Sequence, residues 1–93
     1  MPVVKRVIRH IVFSSQFDRK FAALPEKIKK VARKKDRMFR TDAFHSLLRT
    51  HKLSGEFKDY WAYSVNQQYR VLFYFIDDHT AAYINIGTHE IYR

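Results

Sequence analysis

An α+β fold, with one N-terminal strand and two helices ahead of an antiparallel three-strand meander (β-α-α-β-β-β), is predicted by three features of this sequence. Apolar residues recur at helical spacing in the first half, and in alternating or continuous runs in the second. The runs of the second half are joined by connections too short to hold a crossover, which makes neighbouring strands antiparallel. With 93 residues there is room for one core, so residues 1–93 are expected to form a single domain with the helices packed on one sheet face.

Each element has its own signal. Residues 7–13 are rich in β-branched and apolar side chains and read as an imperfect first strand. Ser14 or Ser15 then caps a short helix over residues 16–23. Pro25 suits the first turn of a second helix, where its missing N–H costs nothing, and Glu26 there complements the helix dipole. Ile28, Val31, Ala32, Met38 and Phe39 give that helix an apolar stripe. Thr41 and Asp42 resemble another cap, opening a short helical stretch through Leu48. "RTHKLSGEF" reads as a loop in which Gly55 supplies the turn. "DYWAYSVN" alternates, with Trp61, Tyr63 and Val65 on one face and Ala62, Ser64 and Asn66 on the other. "QYRVLFYFI" is apolar enough for a central strand, "DDH" turns the chain, and "TAAYINI" returns it.

Composition narrows the function. Eight Phe, six Tyr and one Trp supply most of the burial a chain this size needs. There is no cysteine, which excludes disulfides and thiolate metal sites. Charges at Lys5, Arg6 and Arg9 interrupt what would otherwise resemble a secretory h-region, and no apolar run reaches membrane-spanning length, so a soluble cytoplasmic protein is expected. The formal charge is +9, and it is lopsided: residues 1–40 hold 13 basic and 3 acidic side chains, residues 41–93 hold 5 and 6. The excess lies largely on the second helix, at Lys27, Lys29, Lys30, Arg33, Lys34 and Arg37, and points to a polyanionic partner. No Walker motif, dinucleotide glycine fingerprint or His-Glu-x-x-His zinc site occurs.

Three short motifs follow in order: His51-Lys52-Leu53-Ser54-Gly55, then Tyr69-Arg70-Val71-Leu72-Phe73, then Gly87-Thr88-His89. In this order and spacing the sequence resembles the RelE/ParE superfamily of bacterial toxins, above all the RelE/StbE and YafQ-like branches. The resemblance implies the toxin of a type II toxin–antitoxin system. Many such toxins are endoribonucleases that cut mRNA on the ribosome with no metal or cofactor, the transcript's own 2′-hydroxyl attacking the adjacent phosphate. ParE-like relatives share the fold yet poison DNA gyrase, so the choice rests on residues. A non-catalytic RNA-binding relative is the third reading.

Metal-free cleavage of this kind needs a base for the 2′-hydroxyl, cations for the crowded phosphate and an acid for the departing 5′-oxygen. His51 and His89 match histidines of the YafQ-like pattern and suit either proton role near neutral pH. Arg70 opens an otherwise apolar strand, so it either stabilises phosphate or forms a structural ion pair with Asp59, Asp77 or Glu90. Tyr92, and Arg93 beside it, are placed to close the site after the last strand, where an aromatic ring can stack on a base. Lys52 and Lys58 flank the loop and, with Lys30, Arg33, Lys34 and Arg37, are the candidate RNA- or ribosome-binding residues. One departure stands out. Where several RNA-cleaving relatives carry an arginine or histidine, this chain has Ser64, Val65 and Asn66, which leans the chemistry on His51 and His89. His10, His45 and His79 match no motif position. The expected antitoxin is acidic, partly disordered when free, and folded over the helices and the His51/His89 edge when bound.

Overall fold

Ser14 ends the first strand and begins the first helix. Its hydroxyl accepts the Phe17 N–H at 2.9 Å and donates to the Ile84 carbonyl at 2.7 Å, so one side chain both caps the helix and ties it to the sheet. The structure is a computed structural model that describes residues 5–92; the first four residues and Arg93 lie outside it. The elements run β1 (His10–Phe13), α1 (Ser15–Ala22), α2 (Glu26–Thr41), β2 (His51–Lys52), β3 (Trp61–Ser64), β4 (Arg70–Asp77) and β5 (Thr80–Gly87), with 3-10 turns at Ser46–Leu48, Gly55–Phe57 and His89–Tyr92. The strands form one five-stranded sheet in the order β1-β5-β4-β3-β2. β1 lies parallel to β5, and every other neighbouring pair is antiparallel.

The expected α+β architecture is present, with four differences of detail. β1 is shorter than residues 7–13, because Ile8 N–H is drawn to the Arg40 carbonyl at the end of α2 and Arg9 N–H to His79, at 2.9 and 2.8 Å. Pro25 is the cap residue of α2, with extended backbone, and not a member of its first turn. The helical stretch expected after Asp42 shrinks to Ser46–Leu48, capped by His45 Nδ1, while the Asp42 carboxylate accepts the backbone N–H groups of Arg6 and Phe44. The loop after it contains a strand: His51 pairs with Ala62 and Lys52 with Trp61. Two polar, exposed residues are too short a stretch to show a period of two.

The alternation in β3 sorts the faces. Tyr63 and Val65 join Val71, Phe73, Tyr83 and Ile86 beneath the helices, where Phe39 is fully buried. Its ring lies 4.9 Å from those of both Tyr63 and Phe73. A hydrogen-bonded chain crosses this layer: Tyr63 donates to Tyr83 at 2.9 Å, Tyr83 to Asp36 at 2.8 Å, and Arg40 Nε to the same carboxylate at 3.0 Å. Burial pushes both phenols above the ordinary tyrosine range, so they stay protonated and able to donate. The other face carries His51, Ala62, Leu72 and Asn85 in one cross-strand row and Ser64, Arg70 and Gly87 in the next.

Candidate active site

These two rows place most of the motif residues at one end of the sheet. His51 is on the edge strand, Arg70 two strands in, and Gly87 ends the strand beyond. From β2 to β5 is three strand spacings, about 14 Å at the backbone. The His51/His89 edge expected from a meander is not a single sheet edge, because β2 is an edge strand while β5 lies inside the sheet between β1 and β4; the two positions share only the end of the sheet at which β5 finishes. Two central strands nevertheless separate His51 from the Gly87 end, and no hydrogen bond joins the two histidines among the described residues.

At Gly87 the chain turns back. A Cβ there would come within 2.9 Å of Ile91 Cγ2, closer than Cβ atoms approach a neighbour, so glycine is what lets the turn His89–Tyr92 fold onto the sheet. The segment after β5 is therefore a wall and not a loose end, for all its described length. His89 stands exposed at the start of this turn, and Tyr92 is half-buried at its end. Arg93 lies outside the described residues.

Arg70 lies near enough to Tyr92 for its charge to act on the phenol. Nη1 of Arg70 and the Tyr92 hydroxyl are both buried and both lack a hydrogen-bond partner. Burial pushes the Tyr92 phenol up, and the nearby Arg70 guanidinium offsets only part of that. The phenol thus remains a donor at neutral pH. The three ion pairs among the described residues, Lys29–Glu26, Arg33–Glu26 and Arg40–Asp36, leave Arg70 out, so the structural pairing with Asp59, Asp77 or Glu90 is not formed. Two donors held out of water with nothing to bind are costly unless a ligand supplies the acceptor.

His51 has a defined orientation. Its Nδ1 lies 2.8 Å from the Arg49 carbonyl, which can only accept, so Nδ1 carries the hydrogen. The Nε2 lone pair of the neutral ring is left free to take a proton. Along the same face an aromatic row continues from Tyr92 to Phe57, Tyr60 and Tyr74, successive ring centroids lying 6.0, 6.0 and 5.9 Å apart. A cleft of ≈ 600 Å³ opens between this row and the α1–α2 corner, past Gly87 and Thr88.

The basic residues divide. Lys30, Lys34, Arg37, Lys52 and Lys58 are exposed. Arg33 is exposed as well but is engaged locally, 3.5 Å from Glu26 and over the ring of Phe21. His45 and His79 serve the backbone, His45 capping a turn and His79 Nδ1 lying 2.9 Å from the Val7 carbonyl. Sequence reasoning missed Arg49, whose carbonyl orients His51 and which lines a second cleft with Arg70. Its position two residues before His51 was the available clue. Among the described residues no three His, Asp or Glu side chains converge as a metal ion requires, and no helix is long and apolar enough to cross a membrane.

No family model matches this sequence, and no curated protein sequence does. Solved structures do match. The RelBE2 toxin–antitoxin complex of Mycobacterium tuberculosis aligns with a TM-score of 0.75 at 17% identity over 90% of this chain and 94% of its own. The YoeB/ParE toxin of Agrobacterium tumefaciens gives 0.74 at 13%, over 87% and 99%. YafQ of E. coli gives 0.69 at 19%, over 88% and 94%. The match in element order that the three motifs announced is thus a match in three dimensions, and the chain has the fold of the RelE/ParE toxin superfamily, with YafQ among its structural neighbours.

Proposed function

We propose that this protein is the toxin of a type II toxin–antitoxin system and acts in the cytoplasm as a metal-independent endoribonuclease on ribosome-bound mRNA. The observation that carries the reading is the buried, unpaired Nη1 of a partly buried Arg70, close to the unpaired Tyr92 hydroxyl and set between His51 on one flank and the His89 turn on the other. A phosphodiester laid there supplies the acceptors that both groups lack. His51 Nε2 takes the 2′-hydroxyl proton as that oxygen bonds to the adjacent phosphorus. The bond from phosphorus to the 5′-oxygen breaks, and His89 returns a proton to it. The products are a 2′,3′-cyclic phosphate and a 5′-hydroxyl, so atoms and charge balance without a metal. Arg70 and Tyr92 hold the non-bridging oxygens, where charge accumulates.

The aromatic row gives flanking bases rings to stack on, worth about 1–3 kcal/mol per base. Lys52 and Lys58 near the site, and Lys30, Lys34 and Arg37 on α2, suit ribosomal or messenger phosphates. Solved neighbours such as RelBE2 and DinJ–YafQ are complexes with antitoxins, and the +9 charge here suits an acidic one. Cell-free translation with mapped transcript ends, comparing wild type with His51→Ala and His89→Ala, tests the reading. New ends that require ribosomes and vanish in both variants are expected. Intact transcripts with unimpaired translation would refute it and turn attention to inhibition of DNA gyrase.

A further inference from the structure

The cleft that Arg70 shares with Arg49 has a composition of its own. It measures ≈ 280 Å³ and is lined by Lys35 of α2, Arg49 from the corner before β2, Ser64 at the end of β3, Asn66 and Gln67 of the β3–β4 turn, and Arg70. Three basic residues from three separate segments line it, and no acidic residue does. None of the three takes part in an ion pair among the described residues. The neutral groups are biased the same way. Asn66 Oδ1 already accepts the N–H groups of Gln68 and Tyr69, at 2.9 and 2.8 Å, which leaves its amide as a donor only.

Arg49 also links this cleft to His51. It is the one non-glycine residue at positive φ among the described residues, with φ 52. Arg49 adopts this conformation as the residue that ends the Ser46–Leu48 turn, its N–H donating to the Ser46 carbonyl at 3.3 Å, as helical segments commonly end. From this corner the Arg49 carbonyl reaches His51 Nδ1, and Arg49 also lines the cleft.

We propose that Lys35, Arg49, Ser64 and Asn66 form a subsite for a phosphodiester of single-stranded RNA next to the one held by Arg70. The subsite rests on the nuclease reading for its location, and it makes Arg49 a binding residue that also positions His51.

The test measures binding of a 2′-O-methyl single-stranded oligonucleotide, which cannot be cut, to the full chain over about 50 to 200 mM salt. Each single-strand phosphate contact contributes about 0.7 to the log–log salt slope. Arg49→Asn, which tolerates the left-handed backbone, and Lys35→Ala should each flatten the slope by about that amount, shrinking the loss of affinity across this range about 2.5-fold. Arg49→Lys should keep the slope. So should Arg9→Ala, which removes a cation at the opposite end of the sheet. Melting temperature separates binding from folding, because Arg49→Asn should melt no lower than wild type. A wild type that cuts transcripts on ribosomes but binds no oligonucleotide, or whose slope neither substitution changes, overturns the subsite and leaves the nuclease standing. Slopes that flatten as expected in a protein that never cuts RNA would retain the subsite and remove the nuclease. Competition by polyglutamate at a slope the substitutions leave unchanged would assign the cleft to an acidic protein instead and overturn the proposal.

Discussion

The two faces of the sheet treat buried polar groups in opposite ways. Beneath the helices every link of the Tyr63–Tyr83–Asp36–Arg40 chain is made, at 2.8 to 3.0 Å. On the other face Arg70 Nη1 and the Tyr92 hydroxyl are just as hidden and have no partner. Both faces are rich in aromatic rings, so hydrophobicity does not tell them apart; satisfaction of hydrogen bonds does. One face uses its polar groups to hold the fold together; on the other Asn85 accepts the Ile86 N–H at 2.9 Å, while Arg70 Nη1 and the Tyr92 hydroxyl stay available for a ligand.

Substitutions should separate the faces. The largest effect on stability is expected from Phe39→Ala, which empties the centre of the helix-covered face and should cost about 3–5 kcal/mol in a denaturant titration. Next comes Arg70→Met. It should slow transcript cleavage about 10²–10³-fold, as loss of one charge-stabilising donor does. Its melting temperature should not fall, since a buried donor without a partner leaves with it. Equal losses of stability from Arg70→Met and Asp36→Ala would erase the distinction between the faces.

Tyrosine hydroxyls give a finer comparison. Tyr83→Phe removes a hydroxyl bonded on both sides and should destabilise by about 1–2 kcal/mol. Tyr92→Phe removes one bonded to nothing, so it should leave the fold unharmed and reduce cleavage about tenfold. The smallest effect is one of pH. Tyr63, Tyr83 and Tyr92 all hold their protons above the ordinary tyrosine range because burial penalises the phenolate. The unfolded chain releases those protons first, so stability is complete below about pH 10 and declines as the pH rises beyond it. Circular dichroism against pH would show that decline, shallower in Tyr83→Phe.

The parts of this molecule legible in the sequence are those written in local chemistry. The Phe39 stripe, the alternation around Tyr63 and the cap at Ser14 each follow from spacing that a one-dimensional reading can see. β2 was not legible, because His51 and Lys52 owe their strand to the partner Ala62–Trp61 rather than to their own propensity. Parallel pairing of β1 with β5 joins residues about seventy positions apart, and nothing near either strand announces it. The same holds for the site. Arg70 and Tyr92 could be named from motif positions, but not that they would lie close. Arg49 and Lys35 are ordinary basic residues whose place in one cleft depends on the folded corner. The strand break at Gly87 was visible as a glycine, whereas its cause, the approach of Ile91, was not.

The most direct measurement uses a transcript translated with the protein, carrying a single 2′-deoxy nucleotide immediately 5′ to a mapped cut, with EDTA-treated toxin added to ribosomes in their ordinary buffer. Loss of that cut alone, with neighbouring ribonucleotide sites still ending in 2′,3′-cyclic phosphate and 5′-hydroxyl, is the expected result. Continued cleavage at the deoxy position, or ends bearing a 5′-phosphate, would mean that the 2′-hydroxyl is not the nucleophile and that the open face of the sheet does not perform this chemistry.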